Sequence, residues 1–199
     1  MEKLIKKYLK KQDEKTLHDL RVECRRKLSF LQKEGLSDIG YETILKNSSK
    51  LRDTDVMLDI CKNKKIRKHL KKRRKKLNKK FIKSLKQLEF KKIPAKKIKM
   101  DLHSCKELLE NTFLNKNDKE LHNIRLKIKA CRYTNPRYEK EFKKIQDALG
   151  RAHDYYKCEK LLKKFNYSPL KAYVKKQKYI KKAEKAREET LSILPDILV

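Results

Sequence analysis

Two short stretches of the chain combine the residue types that hold an oxyanion. Leu17-His18-Asp19-Leu20-Arg21-Val22 returns, 104 residues later, as Leu121-His122-Asn123-Ile124-Arg125-Leu126. At about 100° per residue, a helix through the first stretch places Leu17, Leu20, Cys24, Leu28 and Leu31 on one stripe. Arg21 and Arg25 then border that stripe beside His18, with Arg26 adjoining. The second stretch repeats the layout: Leu121, Ile124 and Ile128 form the stripe, and Arg125, Lys129 and Arg132 lie beside it with His122. A guanidinium fork meets two phosphate or carboxylate oxygens at once, an ammonium acts as a point charge, and an imidazolium donates from both nitrogens. A solvated basic face explains one such helix; its recurrence favours a ligand.

Two further elements bear on the same chemistry. Between Ile66 and Leu88, the run Lys71-Lys72-Arg73-Arg74-Lys75-Lys76 rides on a stripe of Ile66, Leu70, Leu77 and Phe81. Arg73 falls on the stripe and Arg74 at its edge, so an arginine is expected to face inward, where it needs an anionic partner or ligand. Arg52-Asp53-Thr54-Asp55 offers carboxylates that either brace neighbouring guanidinium groups for a ligand or form an ordinary salt bridge between helices. Asp154 has the same two readings in the second half.

The elements that carry these residues read as helices. Apolar residues recur at three- and four-residue intervals with almost no alternation, predicting an all-α fold with helices near 2–11, 14–34, 38–61, 63–90, 96–115, 118–134, 137–165 and 169–193. Asp13-Glu14, Asn135-Pro136 and Ser168-Pro169 supply start signals. Lys91 to Ala95, around Pro94, is the expected mid-chain linker, dividing an N-terminal half (1–92) from a C-terminal half (95–199) of one domain. Ile44 and Arg52-Asp53 find counterparts at Ile145 and His153-Asp154, so the order of features is kept, as in a duplication.

The net charge is +32, from 58 Lys and Arg against 26 Asp and Glu, with 38% apolar residues. That balance fits a folded, basic chain whose partner is anionic. Three glycines leave no place for the Gly-rich nucleotide cradles. No apolar stretch has the length of a membrane span or signal peptide, which predicts a soluble, cytoplasmic protein with no membrane partner. The five cysteines, far apart and without a C-x-x-C pair, are expected to be reduced core thiols. No cofactor or metal is expected.

Taken in order, Leu17-His18-Asp19-Leu20-Arg21-Val22-Glu23-Cys24-Arg25-Arg26, Leu51-Arg52-Asp53-Thr54-Asp55-Val56, Leu121-His122-Asn123-Ile124-Arg125-Leu126-Lys127-Ile128-Lys129 and Gln146-Asp147-Ala148-Leu149-Gly150 resemble the CHAD family, the conserved histidine alpha-helical domain. The resemblance covers about residues 10–165. It implies two helical bundles related by a pseudo-twofold axis, with basic residues lining a central pore or groove that binds inorganic polyphosphate. The contacts it implies are His18, Arg21, Arg25, Arg26 and Arg52 in the first half and His122, Arg125, Lys129 and Arg132 in the second; Arg73 and Arg74 join them from the basic helix. Ala130 and His153 depart from the family pattern. The glutamate-rich E-x-E-x-K signature of the triphosphatase that accompanies some members is missing, so a non-catalytic role is expected, and the implied ligand makes polyphosphate granules a site of association.

Two other functions compete. A pI near 10 and a lysine-rich helix are also the footprint of sequence-nonspecific nucleic-acid binding, although no recognisable motif and no tryptophan accompany them. The His-Asp pairs at 18–19 and 153–154 suggest a metal-dependent phosphohydrolase, but adjacent residues diverge by about 100° on a helix.

Overall fold

The three- and four-residue spacing folds as helix through most of residues 1–95 and 100–195, the part of the chain that the computed structural model describes. Two compact units result, Met1–Ile98 and Lys99–Val199. The N-terminal unit contains α1 (Glu2–Lys11), α2 (Glu14–Lys33), β1 (Leu36–Asp38), α3 (Ile39–Asn47), α4 (Ser49–Ile60), α5 (Lys64–Lys86) and β2 (Lys92–Pro94). The C-terminal unit contains α6 (Leu102–Glu110), α7 (Asp118–Thr134), α8 (Glu139–Lys164) and α9 (Leu170–Ile193).

Local chemistry fixes the helix starts. The Asp13 carboxylate accepts from the Thr16 N–H at 2.7 Å and opens α2. Asn117 and Glu120 form a reciprocal capping box at the start of α7. Gly35, at φ 75°, takes the left-handed conformation that ends α2 and turns the chain into β1. Each unit then closes on the stripe its sequence supplies. Leu17, Leu20 and Cys24 pack with Tyr8, Ile44, Leu51 and Phe81 in one core; Leu121 and Ile128 pack with Leu109, Phe113, Phe142 and Ile145 in the other.

Several expectations are corrected. The helix expected over 38–61 breaks at Ser48, where two serine hydroxyls compete for backbone partners: the buried Ser48 donates to the Ile44 carbonyl at 2.5 Å and Ser49 to the Lys46 carbonyl at 2.8 Å. The helix expected to reach 90 ends at Lys86. The expected linker instead contributes β2, which pairs antiparallel with β1, Ile93 opposite Ser37. Pro94 is tolerated there because a two-stranded sheet consists of edges. Pro136 begins a 3-10 turn, Pro136–Tyr138, before α8. The helix expected over 96–115 spans Leu102–Glu110, and its first four positions lie outside the described residues.

The expectation of reduced thiols also fails. Cys105 on α6 and Cys131 on α7, both buried, form a disulfide with Cα atoms 5.8 Å apart, while Cys24 is free and buried. The spacing of 26 residues carries no disulfide signature; only the packing of α6 on α7 brings the two together. Closing a loop of that length stabilises the fold by about 3 kcal/mol. Urea unfolding of oxidised protein and of the Cys105→Ala/Cys131→Ala variant should therefore differ by that amount, and coincident curves would show that the bond contributes nothing.

Candidate polyanion site

Helix α7 aims its cations at α8. The Arg125 guanidinium lies over Gly150, where an added Cβ would stand 3.3 Å from Nε. The missing side chain lets a guanidinium approach the helix surface. One turn earlier on α7, the His122 imidazole lies against His153 of α8, ring centres 4.8 Å apart and planes tilted by 31°. At the other end Arg132 donates to the Gln146 side chain at 3.3 Å, approaches Glu139 at 3.6 Å and covers the Tyr133 ring at 4.5 Å. Lys129 lies 5.7 Å from the same ring. The face therefore runs from His122 and His153 through Arg125 to Arg132.

Buried nitrogens on this face lack a hydrogen bond, Arg132 Nε having only the longer ion pair to Glu139. His122 Nδ1, Arg125 Nε and Arg132 Nε are each shielded from solvent without a hydrogen bond. A buried donor without an acceptor costs about 1–3 kcal/mol, and an oxyanion held there would supply acceptors. Two other buried cations of this unit have carboxylate partners, although Arg187 Nε also lacks a hydrogen bond. Lys176, also buried, lies 3.3 Å from both Asp118 and Glu159, and Arg187 donates to Glu184 at 2.8 Å.

In the N-terminal unit the equivalent arginine is deeper and more constrained. Arg21 is only 7% exposed. Its Nη1 donates to the Leu45 carbonyl at 2.7 Å and to the Ser48 hydroxyl, leaving Nε without a partner. Burial pushes its pKa down to about 10; Arg25 adds repulsion, Asp53 opposes the shift, and Arg52 again adds repulsion. A nearby anion would offset the repulsion from Arg25 and Arg52. Arg52 is tied to Glu14 at 2.6 Å. His18 and Arg26 are exposed on α2, and Asp19 reaches Lys7 at 3.9 Å.

The basic helix differs from expectation. Arg73 is exposed, and Arg74 turns inward, donating from Nε to the buried Asp55 at 2.5 Å and from Nη2 to the Gln12 carbonyl at 3.1 Å. Burial raises the Asp55 carboxyl, and the hydrogen bond and charge of Arg74 pull it back. Arg74 and Asp55 thus form a structural pair. The wheel misplaces the two arginines because they sit on either side of the core stripe, one step apart.

Sequence reasoning missed the roles of Gly150 and His153. Both stood in motifs already noted, His153 as a departure from the expected residue, and the signal that marks them is their position on the helix facing His122 and Arg125. Among the described residues no three His, Cys, Asp or Glu side chains gather as a metal site, and no helix is long and apolar enough to cross a membrane. Compared with known proteins, the chain matches no family model, no curated protein sequence and no solved structure.

Proposed function

We propose that this chain binds inorganic polyphosphate without catalysis, as the CHAD resemblance implies, through the cationic faces of α2 and α7. The observation that carries the reading is the pair of buried nitrogens without a hydrogen bond on α7, His122 Nδ1 and Arg125 Nε, on a helix whose sequence recurs in α2. Both units also follow one order, a short helix, a longer one, then two long segments, with the third segment of the N-terminal unit broken into α3 and α4. That order supports an internal duplication, the part of the resemblance that concerns each bundle by itself. The location that the resemblance implies is the cytoplasm, at polyphosphate granules, where the Cys105–Cys131 disulfide would have to persist against a reducing thiol pool.

Polyphosphate suits these faces because each phosphoryl unit presents oxygens to forks and point charges along a flexible chain, and no base need be read. Neutralising about six phosphates would cost roughly a thousandfold in affinity for a fourfold rise in salt. The test is displacement at physiological salt. Protein loaded with long-chain polyphosphate should retain it against an excess of duplex DNA and melt at a temperature that rises with polyphosphate concentration. Equal displacement by DNA, or no thermal shift at saturation, would overturn the proposal.

A further inference from the structure

The outward face of α5 takes no part in the arrangement on α2 and α7. Its 23 residues hold eleven lysines, three arginines and no carboxylate. All eleven lysines and Arg73 are exposed, while Ile66, Leu70, Phe81 and Leu85 anchor the inner face. Like charges four residues apart destabilise a helix by a few tenths of a kcal/mol per pair. Lys64 and Lys65 in the first turn oppose the helix dipole, with no acidic residue there to offset them. The helix thus lacks the internal anions that would balance its charge.

The geometry and composition of this face select among polyanions. At 1.5 Å per residue, α5 is about 34 Å long, close to one turn of duplex. Lys68, Lys72, Lys75 and Lys79 fall within about 60° on the wheel and form a straight row. Lysine ammonium groups contact phosphates as point charges and carry no bidentate base reading. None of the exposed large apolar side chains lies on α5, so the face has neither a wedge for a bilayer interface nor a platform for stacking unpaired bases.

We propose that the outer face of α5 is a second polyanion site, which holds the phosphate backbone of duplex nucleic acid without reading its sequence. It is separate from the α2 and α7 faces and stands whether or not polyphosphate occupies those. The charge, the length and the lack of exposed apolar groups together carry the assignment.

Two variants of equal net charge test it. One is Lys68→Glu/Lys72→Glu/Lys75→Glu/Lys79→Glu on α5. The control is Lys171→Glu/Lys175→Glu/Lys178→Glu/Lys182→Glu, a row of the same spacing on α9, all exposed. Fluorescence anisotropy with a duplex DNA of about 20 base pairs reads affinity between low and physiological salt. Loss of about four phosphate contacts should weaken binding by the α5 variant on the order of a hundredfold and make its salt dependence shallower by about 3 to 4 in logarithmic slope. The α9 variant should stay within about threefold of the unmodified chain, since net charge alone acts at long range and is screened. Equal loss in both variants would mean diffuse attraction and overturn the site. So would unchanged binding by the α5 variant, or a loss confined to vesicles of phosphatidylcholine and phosphatidylserine, which would indicate a membrane surface. Polyphosphate binding should survive in the α5 variant; parallel loss of both ligands would merge the two sites and overturn their separation. The Lys→Gln set at the same four positions, checked by circular dichroism, serves if glutamate unfolds the helix, and its duplex affinity must also fall.

Discussion

Alanine at both Arg21 and Arg125 should weaken polyphosphate binding by about two to four orders of magnitude, since each charge-assisted contact is worth roughly 1.5–3 kcal/mol. The two arginines should not share that loss equally. Arg125 lies on the α8 surface at Gly150 with its Nε unpartnered, so most of its fork is available to a phosphate. Arg21 already donates through Nη1 to Leu45 and Ser48 and offers fewer hydrogens. Arg125→Ala alone should therefore account for the larger part, and Gly150→Leu, which fills the space under the guanidinium, should mimic it in part. Isothermal titration at fixed salt measures all four proteins. Duplex binding through α5 should be unchanged in them, and a double variant that binds polyphosphate within about threefold of the parent would remove these arginines from the site.

Much of this arrangement is legible in the chain because it depends on helical period. The stripe of Leu17, Leu20 and Cys24, the placement of Arg21 at its border and the capping role of Asp13 all follow from spacing and side-chain type. What escapes is whatever depends on which helix lies opposite. Nothing in sequence tells that Gly150 lies beneath Arg125, that His153 lies against His122, or that Cys105 meets Cys131; those are facts of tertiary packing. Arg73 and Arg74 mark the limit of the wheel. One residue of rotation separates a solvated cation from one bonded to buried Asp55, and the period of an ideal helix is not accurate enough to choose. The break at Ser48 escapes for another reason: a serine pair lowers helix preference only slightly, and the hydrogen bond from Arg21 holds Ser48 in the break.

The two most buried arginines should respond unequally to replacement by methionine. Arg187 donates to the Leu109 carbonyl and to Glu184, which also accepts from the Thr112 hydroxyl at 2.7 Å and the Phe113 N–H at 2.8 Å. Arg187→Met would leave the buried Glu184 carboxylate without its countercharge, so unfolding free energy should fall by about 3–5 kcal/mol. Arg21 has no such buried partner. Its pKa, pushed down to about 10 chiefly by burial, places on the order of 3 kcal/mol against the charged form. That penalty is constant at neutral pH, where the group is charged folded and unfolded alike. Arg21→Met removes it and loses the two charge-assisted hydrogen bonds to Leu45 and Ser48, about 3–6 kcal/mol together, so the two effects largely offset and stability should fall by less than in Arg187→Met, by no more than about 3 kcal/mol. Acid separates the cases further. Burial raises the Glu184 carboxyl, but Arg187, Phe113 and Thr112 outweigh it and hold the pKa below its usual value. A depressed carboxylate stabilises the fold above its unfolded pKa and loses that contribution as pH falls through the folded value. The gap between the parent chain and Arg187→Met should therefore narrow toward acid pH, while the Arg21→Met difference stays flat. Urea unfolding from neutral to acid pH measures both, and an equal cost for the two substitutions would mean that Arg21 is a structural arginine and not one kept for a ligand.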